Sequence, residues 1–103
     1  LKRDVPHAKI EKTLGEIVGI LYKLRDKHIS HGDLKATNIL LSDQGPVLID
    51  LDAMRQHKTE TTYRQAARKD INRFLRNWQD NPVLLATAQQ LLSAQGFPTD
   101  SRF

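Results

Sequence analysis

Cysteine is absent from this chain of 103 residues, which excludes disulfide bonds and thiolate chemistry and fits a reducing, cytoplasmic location. Long apolar runs are missing too: no stretch of about 18 apolar residues occurs, so no membrane-spanning helix is predicted. Residues 1–6 contain neither a Met nor an apolar segment, which argues against a signal peptide. Because the chain starts at Leu1, we expect it to be cut from a longer protein. Its length suits one modest domain.

Acidic residues are in the minority, with 12 Asp and Glu against 16 Lys and Arg, and the formal net charge is +4. A basic chain suits anionic partners such as nucleotides, nucleic acids or phosphorylated lipid surfaces. Aromatic residues make up only 6% of the chain, however, and they do not alternate with basic residues as in single-strand binders. We therefore interpret the charge as a solvated basic surface and predict no nucleic-acid partner.

Three segments have the apolar spacing of amphipathic helices. The first is predicted over residues 7–27, after Pro6, and the second from about Tyr63 to Trp78. The third is predicted to follow the cap Asn81 and to stop at Gly96. Its predicted buried side chains are Val83, Leu84, Ala88, Leu91 and Leu92. The polar residues 53–62 are predicted to form a loop.

Two short apolar segments, 39–41 and 47–49, flank the turn residues 42–46 and predict a β-hairpin. Residues 28–31 are predicted to be a short extended piece. The hairpin has Asn38 at its entrance and Asp50 at its exit, so both side chains should arrive at the same end. The order helix, hairpin, loop, helix, helix predicts an α+β fold that is mostly helical.

Polar residues around this hairpin have the types and spacing of a phosphoryl-transfer site. Asp33 can orient a hydroxyl and accept its proton, and Asn38, five residues later, offers an amide oxygen to Mg²⁺. Asp50 ends an apolar strand, where a buried carboxylate is costly unless a cation or hydrogen bonds compensate it. Lys35 either reaches the transferring phosphate or is solvated. Asp52 is either a further ligand, a cap or a partner of Arg55.

Several other polar residues have less specific interpretations. His31 is predicted to support the loop by packing and hydrogen bonding, while His7, His28 and His57 lack metal-ligand spacing and are predicted at the surface. Asp70 interrupts the apolar register of the second helix. It is either an exposed helix carboxylate or a buried brace that accepts N–H bonds from the Asp33 loop.

The segments HGDLKATNIL (31–40) and IDLDA (49–53) resemble the kinase motifs H-R-D-L-x-x-x-N and D-F-G. They are most similar to the lipopolysaccharide kinase family, bacterial enzymes that phosphorylate heptose or Kdo sugars of the lipopolysaccharide core. The segment RKDINRFLR (68–76) also resembles the closing helix of that family. The resemblance covers residues 8–80 approximately and implies that residues 1–103 are the C-terminal lobe of a protein-kinase-like fold.

The resemblance implies an ATP- and Mg²⁺-dependent kinase whose acceptor is a lipopolysaccharide core sugar. By similarity, Asp33 is the catalytic base, Lys35 contacts the phosphate, and Asn38 and Asp50 bind the metal and the nucleotide. Asp70 falls where such folds place the brace of the catalytic loop. Gly32 replaces the Arg that senses activation-loop phosphorylation in many protein kinases, so that regulation is not expected. Leu51 and Asp52 replace Phe-Gly, which argues against in-and-out switching of that segment.

No G-x-G-x-x-G loop and no strand lysine of the V-A-I-K type precede the first helix. We therefore expect an N-terminal nucleotide lobe outside this chain, as its partner, and a poor catalyst if the fragment is isolated. Three alternatives stay open: a pseudokinase or binding module of the same fold, an aminoglycoside-type small-molecule phosphotransferase, and a small basic nucleic-acid binder. The resemblance also allows peripheral contact with the inner face of a membrane.

Overall fold

The computed structural model describes residues 7–97 and Thr99, which form three α-helices and two small antiparallel sheets. The elements, in chain order, are α1 His7–Asp26, β1 Ile29–Ser30, β2 Ile39–Ser42, β3 Gly45–Leu48, β4 Arg55–Gln56, α2 Glu60–Arg76 and α3 Pro82–Ala94. The predicted mixture of a helical majority and a small hairpin is confirmed. Within the described residues, no helix combines the length and apolar character needed to cross a membrane.

The three helices share one hydrophobic core. The predicted apolar stripe of α1 is buried, and Leu14 and Ile17 have no exposed surface. From α2, Phe74 is fully buried and its ring meets the ring of Trp78 edge-on, with centroids 6.2 Å apart. From α3, Ala88 and Leu92 are fully buried. These contacts confirm the three predicted helices and most of their core faces.

Val83 was predicted to be buried in α3, and this prediction is wrong, because its side chain is 59% exposed. The buried stripe of α3 consists of Leu84, Ala88 and Leu92, which are spaced four residues apart and so lie on one helix face. Val83 is one residue before Leu84, the first member of that stripe. One residue corresponds to a rotation of about 100° around the helix axis, so the Val83 side chain points to solvent. As predicted, Asn81 caps this helix by accepting a hydrogen bond from the N–H of Leu84.

The hairpin is confirmed, but its turn is shorter than predicted. Ile39 pairs with Leu48 and Ser42 with Gly45, which leaves only Asp43 and Gln44 in the turn. Hydrogen-bonded pairs alternate along an antiparallel ladder, and Ile49 donates to the carbonyl of Asn38. Pro46 therefore stands at a position where no ladder N–H is needed, which is why a proline can belong to β3.

The prediction of a loop over residues 53–62 is wrong in two places. β4 forms within it, with Ser30 opposite Arg55 and Ile29 opposite Gln56, so a strand pair joins segments that are distant in sequence. The second helix also begins at Glu60 instead of Tyr63, because Thr59 caps it by accepting a hydrogen bond from the N–H of Thr62. The predicted extended piece at residues 28–31 becomes β1, and this pairing fixes its position.

Candidate functional site

The segment between β1 and β2, residues 31–38 (hereafter the 31–38 loop), carries three of the candidate site residues. Asn38 is 5% exposed and ends a 3₁₀ turn that starts at Ala36, directly before the hairpin. Asp33 is half-buried, and its carboxylate is within reach of the Asn38 amide. The fold therefore brings two residues five positions apart into direct contact.

The Asn38 amide holds Asp33 through two hydrogen bonds. Its Nδ2 donates to the backbone oxygen of Asp33 at 2.9 Å and to Oδ2 of the same residue at 3.2 Å. Because nitrogen and oxygen stand on opposite sides of an amide, Oδ1 of Asn38 is directed away from Asp33. Lys35 approaches the same carboxylate, with Nζ 3.5 Å from Oδ2 of Asp33. Both side chains of this ion pair are substantially exposed, so the pair adds little stability.

His31 connects the loop to the segment that precedes Asp50. Its ring is fully buried, Nδ1 accepts a hydrogen bond from the N–H of Asp33 at 3.1 Å, and Nε2 lies 3.0 Å from the carbonyl oxygen of Ile49. Because Nδ1 accepts, Nε2 carries the proton and donates to Ile49. The prediction that His31 supports the loop by packing and hydrogen bonding is confirmed.

Asp70 is the buried brace, and the alternative of an exposed helix carboxylate is wrong. The residue is 7% exposed, and its two oxygens accept hydrogen bonds from the backbone N–H groups of His31, at 2.8 Å, and Gly32, at 2.9 Å. Burial raises the pKa of Asp70 above its ordinary value, while the two N–H bonds act in the opposite direction. The carboxylate thus fixes the start of the 31–38 loop from α2.

Position 32 requires a glycine for two reasons. Its φ is +96°, a left-handed value that other residues rarely adopt, and a Cβ placed on it would lie 2.5 Å from the Cβ of Ala53. Ala53 belongs to the 3₁₀ turn Leu51–Ala53 that follows Asp50. Gly32 therefore allows the 31–38 loop to pack directly against the segment after Asp50.

Asp50 and Asp52 lie beside this contact and are both exposed. The burial cost that the apolar strand suggested for Asp50 therefore does not arise. The backbone of Asp50 is left-handed, with φ 57° and ψ 69°, which is uncommon for a residue other than glycine. Its neighbour Ile49 donates to the carbonyl of Asn38, so the backbone segments that carry Asn38 and Asp50 are adjacent. Asp52 lies in the first turn of the 3₁₀ helix, where an acidic residue is favourable.

Comparison with known proteins gives one match. Residues 2–94 match the model of the lipopolysaccharide kinase (Kdo/WaaP) family. The chain belongs to this family. The matched residues include the whole 31–38 loop, the hairpin, Asp50 and Asp70, and they run to the end of α3. Searches of curated proteins and of solved structures found no match.

In this member of the lipopolysaccharide kinase family, Asn77 is a site residue that the sequence analysis missed. Its Oδ1 accepts a hydrogen bond from the N–H of Ala36 at 3.1 Å, and its Nδ2 donates to the carbonyl of Leu34 at 3.0 Å. Arg73 donates to the same Oδ1 at 3.1 Å. Asn77 follows Asp70 by seven residues, two helical turns, so their common face was the signal that could have identified it.

The prediction that the histidines lie at the surface is wrong for two of them. His28 and His57 are both partly buried against Tyr63: the His28 ring stacks on Tyr63 at 5.5 Å, and the His57 ring meets it edge-on at 6.2 Å. His57 Nε2 is 2.8 Å from the Ser30 hydroxyl. Burial raises the pKa of Tyr63 to about 12. The His7 side chain lies outside the described part of the chain.

No three His, Cys, Asp or Glu side chains form a metal-binding group in the described residues. A Mg²⁺ site does not require such a group, because this ion is usually held by one or two carboxylates together with water and phosphate oxygens. An exposed carboxylate at Asp50 and an amide oxygen at Asn38 are the right donor types for this ion. The donor chemistry of the two residues therefore fits the predicted metal.

Proposed function

We propose that the protein is an ATP-dependent phosphotransferase that moves the γ-phosphate of ATP to a hydroxyl group of a lipopolysaccharide core sugar, Kdo or heptose. Membership of the lipopolysaccharide kinase family supports the reaction class. The roles proposed for individual residues are supported by the geometry of the 31–38 loop and the hairpin.

The direct contact between Asp33 and Asn38 is the observation that carries this proposal. Asp33 is the base: it orients the acceptor hydroxyl and takes its proton as the oxygen attacks the phosphate. The carboxylate is half-buried and held by Asn38, and its backbone is fixed by the His31 ring. Such positioning supplies a large part of the rate in phosphoryl transfer, because the protein has little covalent chemistry to perform.

Asn38 and Asp50 are the proposed ligands of Mg²⁺, which would neutralise phosphate charge when it is bound. Nδ2 of Asn38 is used for Asp33, and this leaves Oδ1 for the ion. The left-handed backbone of Asp50 is a local strain of the kind that is found at functional sites, and it places a carboxylate directly after the strand end that meets Asn38.

Lys35 is the proposed phosphate contact. Its ammonium group lies 3.5 Å from the Asp33 carboxylate and is 44% exposed, so it can swing towards a phosphate without a large desolvation cost. The same charge forms an ion pair with Asp33. The lysine therefore acts beside the base as a movable positive charge.

The exposed apolar face of the hairpin favours the proposal that a nucleotide lobe is the partner of this chain. Leu40 and Val47 are cross-strand neighbours, 54% and 45% exposed, while Ile39 and Leu48 on the opposite face pack on the core. Ile49 and Leu51 extend the exposed apolar surface towards Asp50. An apolar surface beside a phosphate site is suited to the base of ATP and to a covering N-terminal lobe.

Phosphate transfer by the protein at its full natural length tests this function. We expect transfer from radiolabelled ATP to lipopolysaccharide core sugars, lost in Asp33→Asn and in Asp50→Asn. Asp43→Asn is the matched control, because Asp43 is an exposed aspartate in the hairpin turn and should leave transfer unchanged. Asp33→Asn should still bind Mg²⁺–ATP, whereas Asp50→Asn should bind it more weakly.

Three outcomes would contradict the proposal. Binding of Mg²⁺–ATP without turnover on any sugar would indicate a pseudokinase or binding module. Transfer to aminoglycosides or other small metabolites, but not to core sugars, would indicate a small-molecule phosphotransferase. Salt-sensitive oligonucleotide binding that survives Asp50→Ala, without transfer, would indicate a nucleic-acid binder. Cofractionation with the inner membrane surface would test the location we propose, the cytoplasm at this surface.

A further inference from the structure

Arg73 lies in the last turn of α2, beside the asparagine that holds the middle of the 31–38 loop. Its Nη1 donates to Oδ1 of Asn77 at 3.1 Å, and the residue is partly buried. The two residues are four positions apart, so the helix itself places their side chains next to each other. Arg73 is therefore connected to the loop through one residue, Asn77.

The Asn77 side chain benefits from such support because it stands at the end of the helix. Asn77 follows Arg76, the last residue of α2, and its N–H donates to the carbonyl of Phe74, three residues back, as in a tightened final turn. Helix ends open more readily than helix interiors. An asparagine without further contacts at this position would hold the loop less firmly.

The Arg73 contact also favours one orientation of the Asn77 amide. Oδ1 of Asn77 faces two donors, the Arg73 guanidinium and the N–H of Ala36, while Nδ2 faces the carbonyl of Leu34. Because a guanidinium has only donors, turning the amide over would set its NH₂ group against two donors and its oxygen against a carbonyl. A charged donor also makes a stronger hydrogen bond than a neutral one. Arg73 therefore opposes the turn of the amide that would release the loop.

The charge of Arg73 has no other assigned use in the described part of the chain. In the ion pairs between described residues, the carboxylates of Asp33 and Glu60 are held by other cations. Positive charge is favourable at the C-terminal end of a helix, but Arg76 lies in the same last turn and is exposed. The hydrogen bond to Asn77 is thus what distinguishes Arg73 from its neighbour.

We propose that Arg73 is a positioning residue for phosphate transfer, because it holds the Asn77 amide in the orientation that keeps residues 34–36 on α2. Displacing this segment would move Asp33 and Lys35, which directly flank Leu34 in the chain. The effect on transfer rests on the proposed function, whereas the effect on the loop does not. In both cases Arg73 acts only through Asn77.

Amide hydrogen exchange, measured by NMR on the full-length protein, tests the effect on the loop. Arg73→Met keeps a long side chain that favours helix but removes the donor. The N–H of Ala36, which is bonded to Asn77, should then exchange at least about fivefold faster. Arg76→Met is the matched control: it removes the same charge from the same turn and should change this rate less than about twofold. The N–H of Ile71, a buried residue of α2, should keep its exchange rate in both variants.

Kinetic measurements test the effect on transfer. Arg73→Met should lower kcat at least about fivefold, and the KM for ATP should stay within about twofold of the wild-type value. In an Asn77→Ala background, the same substitution should change neither kcat nor the exchange of Ala36 any further, because the residue through which it acts is gone. If the wild type transfers no phosphate, the proposed function fails, while the exchange of Ala36 still decides the effect on the loop.

Three results would overturn the inference. Arg76→Met could accelerate the exchange of Ala36 as much as Arg73→Met does, or Ile71 could accelerate equally, which would indicate a general loss of stability. Arg73→Met could have the same effect with and without the Asn77 side chain. A raised KM for the acceptor, with unchanged exchange of Ala36, would indicate that Arg73 contacts the acceptor directly.

Discussion

Asp70 and His31 are joined across 39 residues of sequence by a hydrogen bond of 2.8 Å, from the backbone N–H of His31 to Oδ2 of Asp70. The second oxygen of Asp70 accepts from Gly32, and the His31 ring continues the connection to Asp33 and Ile49. One buried carboxylate on α2 thus positions both the 31–38 loop and, through His31, the strand end before Asp50.

Replacing Asp70 with Ala should destabilise the protein markedly. The substitution leaves the N–H groups of His31 and Gly32 without acceptors, and a buried unsatisfied donor costs about 1–3 kcal/mol. Urea denaturation should therefore show a fall of about 2–5 kcal/mol in the free energy of unfolding. Asp43→Ala, an exposed aspartate of the hairpin turn, serves as control and should change this value by less than about 0.5 kcal/mol. Equal effects of the two substitutions would contradict the role of Asp70 as the brace of the 31–38 loop.

The raised pKa of Asp70 should also make the stability of the protein depend on pH. Burial raises its pKa above the ordinary value of 3.8, so the folded state holds this proton more tightly than the unfolded state. The contribution of the carboxyl to stability is therefore complete below pH 3.8 and is lost as the pH rises through the raised pKa. The free energy of unfolding of the wild type, relative to Asp70→Asn, should decrease as the pH rises from 3.5. A difference that grows with pH would show that the folded-state pKa is lowered instead.

Gly32→Ala should disturb the contact between the 31–38 loop and the segment after Asp50. A left-handed φ of +96° and a Cβ at 2.5 Å from that of Ala53 both oppose the substitution. We expect a loss of about 1–3 kcal/mol in the free energy of unfolding from the backbone strain alone, together with loss of phosphate transfer.

Gly19→Ala is the matched control for Gly32. Gly19 lies within α1, and a Cβ there meets no atom within 4 Å. Alanine should therefore stabilise the helix by about 0.5–1 kcal/mol, measured by thermal or urea denaturation. If Gly32→Ala behaved like Gly19→Ala, the close packing of Gly32 on Ala53 would be wrong.

Asn77→Ala should lower phosphate transfer although Asn77 is a positioning residue. The variant removes the hydrogen bonds to Ala36 and Leu34 that hold the middle of the 31–38 loop on α2. A small displacement of the base can cost about 100-fold, so we expect kcat to fall by about 10- to 100-fold. The KM for ATP should change little, and circular dichroism should show the same folded fraction as the wild type, which excludes a general loss of folding as the cause. Asn77→Asp keeps the acceptor for Ala36 and should retain part of the activity.

Local patterns were sufficient to locate the three helices, though not the start of α2 or the exposure of Val83, because the burial of an amphipathic face follows from its own periodicity. The predicted first helix ends within one residue of the observed end at Asp26, and Asn81 caps α3 as predicted. The hairpin followed from two apolar segments and a turn. The strand β4 could not be predicted in this way, since Arg55 and Gln56 are polar and become a strand only by pairing with β1.

For the candidate site, too, some features follow from the sequence and others only from the tertiary structure. The sequence by itself determined which residues we propose for the chemistry, because Asp33, Asn38 and Asp50 stand out by type and spacing. The tertiary structure alone decided how they are held: it chose the buried brace for Asp70, introduced Asn77, and packed Gly32 against Ala53. These contacts join residues about 20 to 40 positions apart, and only the packing of the 31–38 loop against α2 and against the turn after Asp50 brings them together.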